Sequence, residues 1–301
     1  MLVMPFPTNK ILLNDFRILA RTISLIENRT EGYLSFLKDL SEKQGNVIGI
    51  TGPPGAGKSS LVDALIGEIV QQNKKVGVLC VDPSSPFNLG ALLGDRIRMS
   101  EWYTHPNVFI RSLATRGSLG GLHPMIIEIS DVMKASGFDY IIVETVGVGQ
   151  SEIEIAGLAD VTVVVVVPEA GDEVQTMKAG LMEIANVFVV NKADRPDADL
   201  FVKNLRSMLA PAFHQQKHEI DIIKTIATTK EGITELFNAI QSQLKELNTS
   251  DKKFWLLAEK TYHLIQQRRM SNIDKKQLQE KIRNNFQDTD FNIYKLVEEY
   301  K

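Results

Sequence analysis

Apolar residues follow three different rhythms along this chain. Up to about residue 43, Leu19, Ile23 and Ile26, then Leu34, Leu37 and Leu40, recur at three- and four-residue spacing. That spacing predicts two amphipathic helices covering the side of a larger body. From about 44 to 250 the apolar residues come instead in short, nearly unbroken blocks: NVIGIT (46–51), KVGVLCVD (75–82), NVFIRS (107–112), DYIIVET (139–145), DVTVVVVVP (160–168), NVFVVN (186–191) and IDIIKTIA (220–227). A strand buried on both faces needs a continuous apolar run, because neither face meets water. Helical stretches such as SSLVDALIGEIVQQ and GITELFNAIQSQLKEL lie between the blocks. The alternation predicts an α/β domain: a mostly parallel sheet flanked by helices. After about 251 the strand signal stops. FWLLAEKTYHLIQQRRM offers Trp255, Leu256, Ala258, Leu264 and Ile265 as a mixed apolar face, and QLQEKIRNNF and FNIYKLVEEYK follow. The expected organisation is an N-terminal helical segment (1–43), a central α/β domain (44–250) and a C-terminal helical extension (251–301) that packs back on the core or joins another subunit.

Composition narrows the class without naming it. The 301 residues are 44% hydrophobic and 24% charged, as in ordinary globular proteins. A net charge of −3 gives no reason to expect nucleic acid or an anionic membrane as a partner. The one cysteine, Cys80, excludes an intrachain disulfide, fits a reducing compartment, and reads as a small hydrophobe inside a strand. Residues 1–10 lack the basic start and apolar core of a signal peptide, and the run 161–168 is far too short to cross a bilayer. A cytoplasmic location without membrane attachment is expected. His214 and His218 lie four residues apart, but no further ligand cluster surrounds them.

The strongest chemical signal is Gly52-Pro53-Pro54-Gly55-Ala56-Gly57-Lys58-Ser59, with a strand block before it and a helical stretch from Ser59 and Ser60 after it. Glycines let the backbone curl so that successive N–H groups face a phosphate chain, and the helix that follows presents its positive end to the same anion. Lys58 is expected to reach the β- and γ-phosphates, and Ser59 to place its hydroxyl on Mg²⁺. The pattern alone arises by chance in roughly one such chain in a hundred, and the flanking strand and helix make chance far rarer.

Asn191-Lys192-Ala193-Asp194 follows the block NVFVV directly, where a base would lie beside a parallel sheet. The Asp194 carboxylate can accept hydrogen bonds from guanine N1–H and the 2-amino group. Adenine offers neither donor and would leave the carboxylate unsatisfied. Asn191 is expected to complement the other edge of the base, with the Lys192 stem over the ring. The turn TIATTKEG (225–232) can supply a backbone contact to the guanine oxygen, through Ala227. The nucleotide expected is therefore GTP or GDP.

Glu144 ends a strand block and Gly147 follows three residues later, a spacing that serves both Mg²⁺ and the γ-phosphate: Glu144 on the metal's water shell or the attacking water, Gly147 through its N–H. Gln150 reads equally as a water-orienting group and as a polar turn residue. Asp82, before Pro83-Ser84-Ser85, could join the Mg²⁺ shell. Asp95 and Arg98 in LGDRIRM could lie over the phosphates, Asp95 toward the metal and Arg98 neutralising developing charge, or could simply open a solvated helix. After VTVVVVV, the acidic stretch Pro168-Glu169-Ala170-Gly171-Asp172-Glu173 could respond to the nucleotide, or Asp172 could merely cap a helix.

The combined set GPPGAGKS, VDPSSPF, LGDRIRM, ETVGVGQSE, PEAGDEVQTMKAGLMEIA and NKAD resembles the MeaB/ArgK family of P-loop GTPases, from LARTISLIEN to at least Asp194 and more loosely beyond. The resemblance implies a GTPase chaperone that gates cofactor loading and protects an adenosylcobalamin-dependent acyl-CoA mutase, typically methylmalonyl-CoA mutase. It also implies a homodimer formed through the C-terminal helices. By the same resemblance Asp82, Asp95 and Glu144 are Mg²⁺ or catalytic candidates, and residues from about Val167 to Lys178 form an additional switch. Glu169 stands where many members carry Gly, and Ile226 where Ser is usual. Three rivals remain: an ATP-dependent kinase or ATPase of basic amino-acid transport, a metallochaperone GTPase, and a nucleotide-dependent scaffold that does not hydrolyse. NKAD speaks against the first, and the lack of Cys/His clusters against the second.

Overall fold

The computed structural model describes residues 6–7, 15–40, 45–82, 95–115, 122–147, 151–170, 184–213, 220–249, 252–270, 273–286 and 291–300. Its centre is one seven-stranded sheet: β1 (Asn46–Thr51), β2 (Val76–Asp82), β3 (Val108–Ala114), β4 (Tyr140–Glu144), β5 (Val161–Val166), β6 (Val187–Asn191) and β7 (Asp221–Thr225). Every neighbouring pair is parallel, in the order β3-β2-β4-β1-β5-β6-β7. All seven apolar blocks of the sequence are strands, trimmed by a residue or two at most ends. Ile226 leaves the last of them and forms only an isolated bridge to Glu231. Because all strands run the same way, their carboxyl ends share one edge. The chain builds β2–β4 on one side of β1 and β5–β7 on the other, so that edge has its topological switch point at β1, where ligands of such sheets bind.

Burial explains the composition of the strands. All six residues of β5 and all seven of β2 are buried. On one face Ile48, Ile50, Val78, Cys80, Val163 and Val189 pack with Leu61, Leu65 and Ile69 of helix α3 (Lys58–Gln71). Leu236, Phe237 and Ile240 of a later helix (Ile233–Thr249, α7) complete that core. On the opposite face Val164, Val166, Phe188 and Val190 meet Phe201, Leu205 and Leu209 of α6 (Ala198–Phe213). Strand alternation sends odd and even residues to the two cores. Helices α4 (Ile126–Ala135) and α5 (Ser151–Leu158) complete the crossovers.

The first N-terminal helix, α1 (Phe16–Glu27), buries Leu19, Thr22, Ile23 and Ile26 and starts at Asp15, whose side chain accepts from Arg17 N at 2.7 Å. Such a cap stabilises a helix by about 1 kcal/mol. Phe16 stacks on Phe138, and Glu27 pairs with Arg111 of β3, so the helix is fixed to the sheet at both ends. The second, α2 (Tyr33–Lys38), buries none of its residues, and Leu34 is exposed. At six residues it is too short to lay down a full apolar stripe.

Contacts divide the chain into two compact units, Met1–Leu256 and Leu257–Lys301. Helix α8 (Lys252–Arg269) starts in the first, where Leu256 is buried, and continues into the second. The expected apolar face is largely in solvent: Trp255 and Ile265 are exposed and Leu264 half-buried. Within the second unit, α9 (Lys275–Asn285) and α10 (Ile293–Glu298) are N-capped by Asp274 and Asn292. Lys281 pairs with Glu299, and Leu296 is buried. No helix among the described residues is long and apolar enough to cross a membrane.

Candidate functional site

The carboxyl edge of the sheet gathers the residues that the motifs single out. β1 ends at Thr51, and Gly52 turns the chain at φ +140°, where a Cβ would lie 2.0 Å from the carbonyl oxygen of Val165. Only glycine lets the loop cross β5 this closely. The loop passes exposed Pro54 and Gly55 and buried Ala56, and α3 then opens at Lys58 after Gly57. The N-cap Gly57 makes no side-chain cap and the helix's own first turn carries no acidic residue, so its positive end faces the loop's concavity. Lys58 is 7% exposed, and its Nζ donates to Gly52 O at 2.9 Å and Pro53 O at 3.1 Å. Ser59 is equally buried and its hydroxyl donates to Glu144 Oε1 at 2.7 Å, a short charge-assisted bond. Ser60 is half-buried in the same first turn.

Glu144 is 4% exposed at the end of β4. Cys80 pairs with it in register, so Asp82, also buried, lies one pleat further along the neighbouring strand on the same face. Gly147 has φ +82°, and a Cβ there would lie 2.3 Å from Lys58 Nζ and 2.5 Å from Gly52 O. The segment after β4 is thus packed against the lysine and the loop. Asp95 and Arg98 lie on a 3₁₀ segment, Asp95–Trp102, placed by its backbone; their side chains are outside the described residues. Its far end is secured on α3: Met99 is in the core, and Trp102 Nε1 donates to Asp63 Oδ1 at 2.8 Å. Gln150, Pro83-Ser84-Ser85, Gly171-Asp172-Glu173 and the pair His214 and His218 are outside the described residues.

On the other side of β1, Asn191 closes β6 and is 2% exposed. Its Nδ2 donates to Ala56 O at 2.9 Å, while its Oδ1 accepts from Thr225 Oγ1 at 3.1 Å and from Ala227 N at 3.2 Å. The sequence suggested a contact with the base edge. The structure also engages both ends of this amide with protein, tying the phosphate loop to the β6 and β7 turns. Lys192, at φ +56°, donates from Nζ to Gly55 O at 2.8 Å and lays its stem along the edge. Asp194 is exposed, and Ala227 is buried. Glu169, just past β5, forms an ion pair with Arg195, which links the segment after β5 to the turn that carries Asp194.

Two contacts involve threonines to which the motifs assign no role. The hydroxyls of Thr51 and Thr145 hydrogen-bond at 2.9 Å beneath the phosphate loop, and Thr225 holds Asn191. Threonine is an ordinary strand residue, so only the pairing of β1 with β4 could have revealed the first of these. Among the described residues no group of three or more His, Cys, Asp or Glu is placed to hold a metal ion, and Cys80 is buried within β2.

Comparison with known proteins adds a family to this geometry. The family described as methylmalonyl-CoA mutase-associated GTPase MeaB matches residues 19–285. A protein from Pyrococcus horikoshii named as a candidate GTPase is 49% identical over 82% of this chain and 78% of its own. The GTPase ArgK of Escherichia coli is 34% identical over 92% of this chain and 84% of its own. The crystal structure of a LAO/AO transport system kinase covers 97% of this chain and 94% of its own, with a TM-score of 0.63 at 24% identity, a likeness of fold.

Proposed function

This chain belongs to the MeaB family of methylmalonyl-CoA mutase-associated GTPases, and from that premise we propose that it hydrolyses GTP with Mg²⁺ to control a cobalamin-dependent acyl-CoA mutase. The observation that carries the nucleotide part is the Asn191 side chain. It bonds the phosphate loop at Ala56 and the base-side turn at Ala227, so a phosphate cradle and a guanine reader share one support. Asp194, exposed beside it, accepts the two guanine donors.

In the reaction a water oxygen attacks the γ-phosphorus and the bond to the β–γ bridging oxygen breaks, giving GDP and phosphate. Lys58, already within the loop, exchanges its carbonyl partners for phosphate oxygens and offsets the charge that moves onto the bridging oxygen. The N-terminus of α3 and the N–H of Gly147, which packs against Lys58 and Gly52, would serve the same oxygens. Ser59, Asp82 and Glu144 are hard oxygen donors gathered at one edge, a set that suits Mg²⁺. These side chains would hold the ion, which supplies charge neutralisation at the phosphates. Glu144 also orients water, and Asp95 and Arg98, on the Asp95–Trp102 segment, remain the candidates for the metal and for the developing charge.

The client reading follows the family description. The segment from Val167 to Lys178 would carry the nucleotide state outward to an adenosylcobalamin-dependent mutase, with the Glu169–Arg195 pair as its link to the base turn. The C-terminal region 251–301 would join two copies, since the exposed Tyr262 and Ile265 of α8 offer apolar area that a second copy can cover. Calorimetry with GTP, GDP and ATP tests the first half: tight GTP and GDP binding with none for ATP supports it, and the reverse returns the reading to a transport kinase. Addition of methylmalonyl-CoA mutase tests the second. A hydrolysis rate that the mutase leaves unchanged removes the chaperone role.

A further inference from the structure

β1 and β4 run side by side through the register pair Ile50 and Glu144, and Thr145 N then donates to Ile50 O at 3.0 Å. Immediately beyond, the two backbones part. Gly52 turns into the phosphate loop, and Gly147 turns back over it. The last link before they separate is the bond between the Thr51 and Thr145 hydroxyls, 2.9 Å long, with both residues at most 2% exposed.

Ile50 lies in the core beneath α3, and Glu144 reaches Ser59 on that same face. Strand alternation therefore puts Thr51 and Thr145 on the opposite face. The end of β4 is held from both sides, by Ser59 on Glu144 and by Thr51 on Thr145. Any roll of this strand end that moves the Glu144 carboxylate away from Ser59 must also break the threonine pair. The γ-methyl groups restrict χ1, so the two hydroxyls are aimed as well as buried.

We propose that the Thr51–Thr145 pair is a positioning strut for hydrolysis: it fixes Glu144 and Gly147 against the phosphate loop without touching nucleotide. The role rests on the GTPase reading above. A displacement of about 1 Å at a reacting centre costs on the order of a hundredfold in rate. Loosening by part of that distance is expected to slow the chemical step while leaving the contacts that bind nucleotide in place.

The test compares Thr145→Val, Thr145→Ser, Thr51→Val and the double valine variant by single-turnover GTP hydrolysis, GDP affinity and thermal melting. A single valine leaves one buried hydroxyl facing a methyl group and lowers stability, whereas the double variant removes both hydroxyls and regains it. The strut predicts that the double variant melts near the wild type yet hydrolyses about tenfold or more slowly, with GDP affinity within about threefold and Thr145→Ser keeping most of the rate. A rate that returns together with stability in the double variant makes the pair merely structural and overturns the proposal. So does a parallel loss of rate and GDP affinity. Should a single valine variant fail to fold, the double variant and Thr145→Ser decide. A wild-type chain without GTP turnover overturns the proposed function and the strut together, whereas an active wild type beside an equally active double variant overturns the strut alone.

Discussion

The phosphate half of the sheet edge and its base half are constructed differently. Lys58, Ser59, Asp82 and Glu144 are each less than a tenth exposed, and the first two already spend their hydrogen bonds within the site. Asp194, on the far side of β1, stands in solvent at the end of a turn. The difference matches the two tasks. Charge that develops during phosphoryl transfer is best met by groups fixed beforehand in a place that excludes water, where no reorganisation is needed. Selecting a base requires only an acceptor in the right direction, since the penalty falls on the wrong base, which leaves that acceptor unsatisfied. Asn191 joins the halves from below, so the exposed reader still has a buried root.

Removing a preorganised group from the phosphate half should therefore have the largest effect. Lys58→Ala is expected to lower GTP hydrolysis about a thousandfold in single-turnover assays. A residual rate near wild type would show that the lysine is only a structural tie to Gly52 and Pro53. Gly147→Ala comes next, at roughly three-hundredfold, because the added methyl must displace Lys58 Nζ or the loop carbonyl and the φ of +82° is strained for alanine. The chain should also melt a few degrees below wild type, since alanine is strained at this φ and meets the Gly52 carbonyl.

The support between the halves should register as stability. Asn191→Ala removes bonds to Ala56, Thr225 and Ala227, and at about 1 kcal/mol each the loss is about 3 kcal/mol in urea unfolding. A change below 1 kcal/mol would mean that the two halves stand independently. Asp194→Asn, in contrast, should leave stability unaltered. It turns one of the two acceptors into a donor, which then faces the guanine 2-amino group, so GTP affinity should fall about fiftyfold while xanthosine triphosphate, with a carbonyl in place of that amino group, gains. Unchanged GTP affinity would move the base site elsewhere.

The sheet was legible because burial on both faces leaves little room for polar interruption. VTVVVV of β5 can hardly be anything else, and even the weaker DIIKT was bounded to within a few residues. The phosphate loop was legible because its glycines and lysine serve backbone geometry and charge at fixed spacing. What the sequence could not express is which of two available partners a polar side chain takes. Asn191 reads as a base contact from its position after a strand, and nothing in that spacing reveals that Thr225 and Ala227, more than thirty residues on, bond its Oδ1. Glu169 finds Arg195 only because β5 and β6 are neighbours. The second N-terminal helix shows the converse: Leu34, Leu37 and Leu40 have helical spacing, but six residues of helix bury none of them.

A third buried carboxylate sharpens the contrast between a site and a core. Glu128, in the first turn of α4, is buried as Glu144 is, but no sequence motif claims it. Burial pushes its carboxyl up to about 7, with its own backbone hydrogen bond opposing, Asp131 adding to the rise and Arg29 opposing weakly. The folded value lies above the unfolded one of 4.5, so the neutral acid is the form the fold favours. Its contribution is complete below the unfolded value and is lost as pH rises through about 7. Taken alone, this amounts to roughly 2 kcal/mol between pH 5 and 7. Glu128→Gln keeps the neutral shape at every pH, so the difference in unfolding free energy between variant and wild type should grow across that interval and level off below it. A constant difference would mean that Glu128 ionises in the folded chain as freely as in water, and that burial alone does not separate it from the carboxylates of the sheet edge.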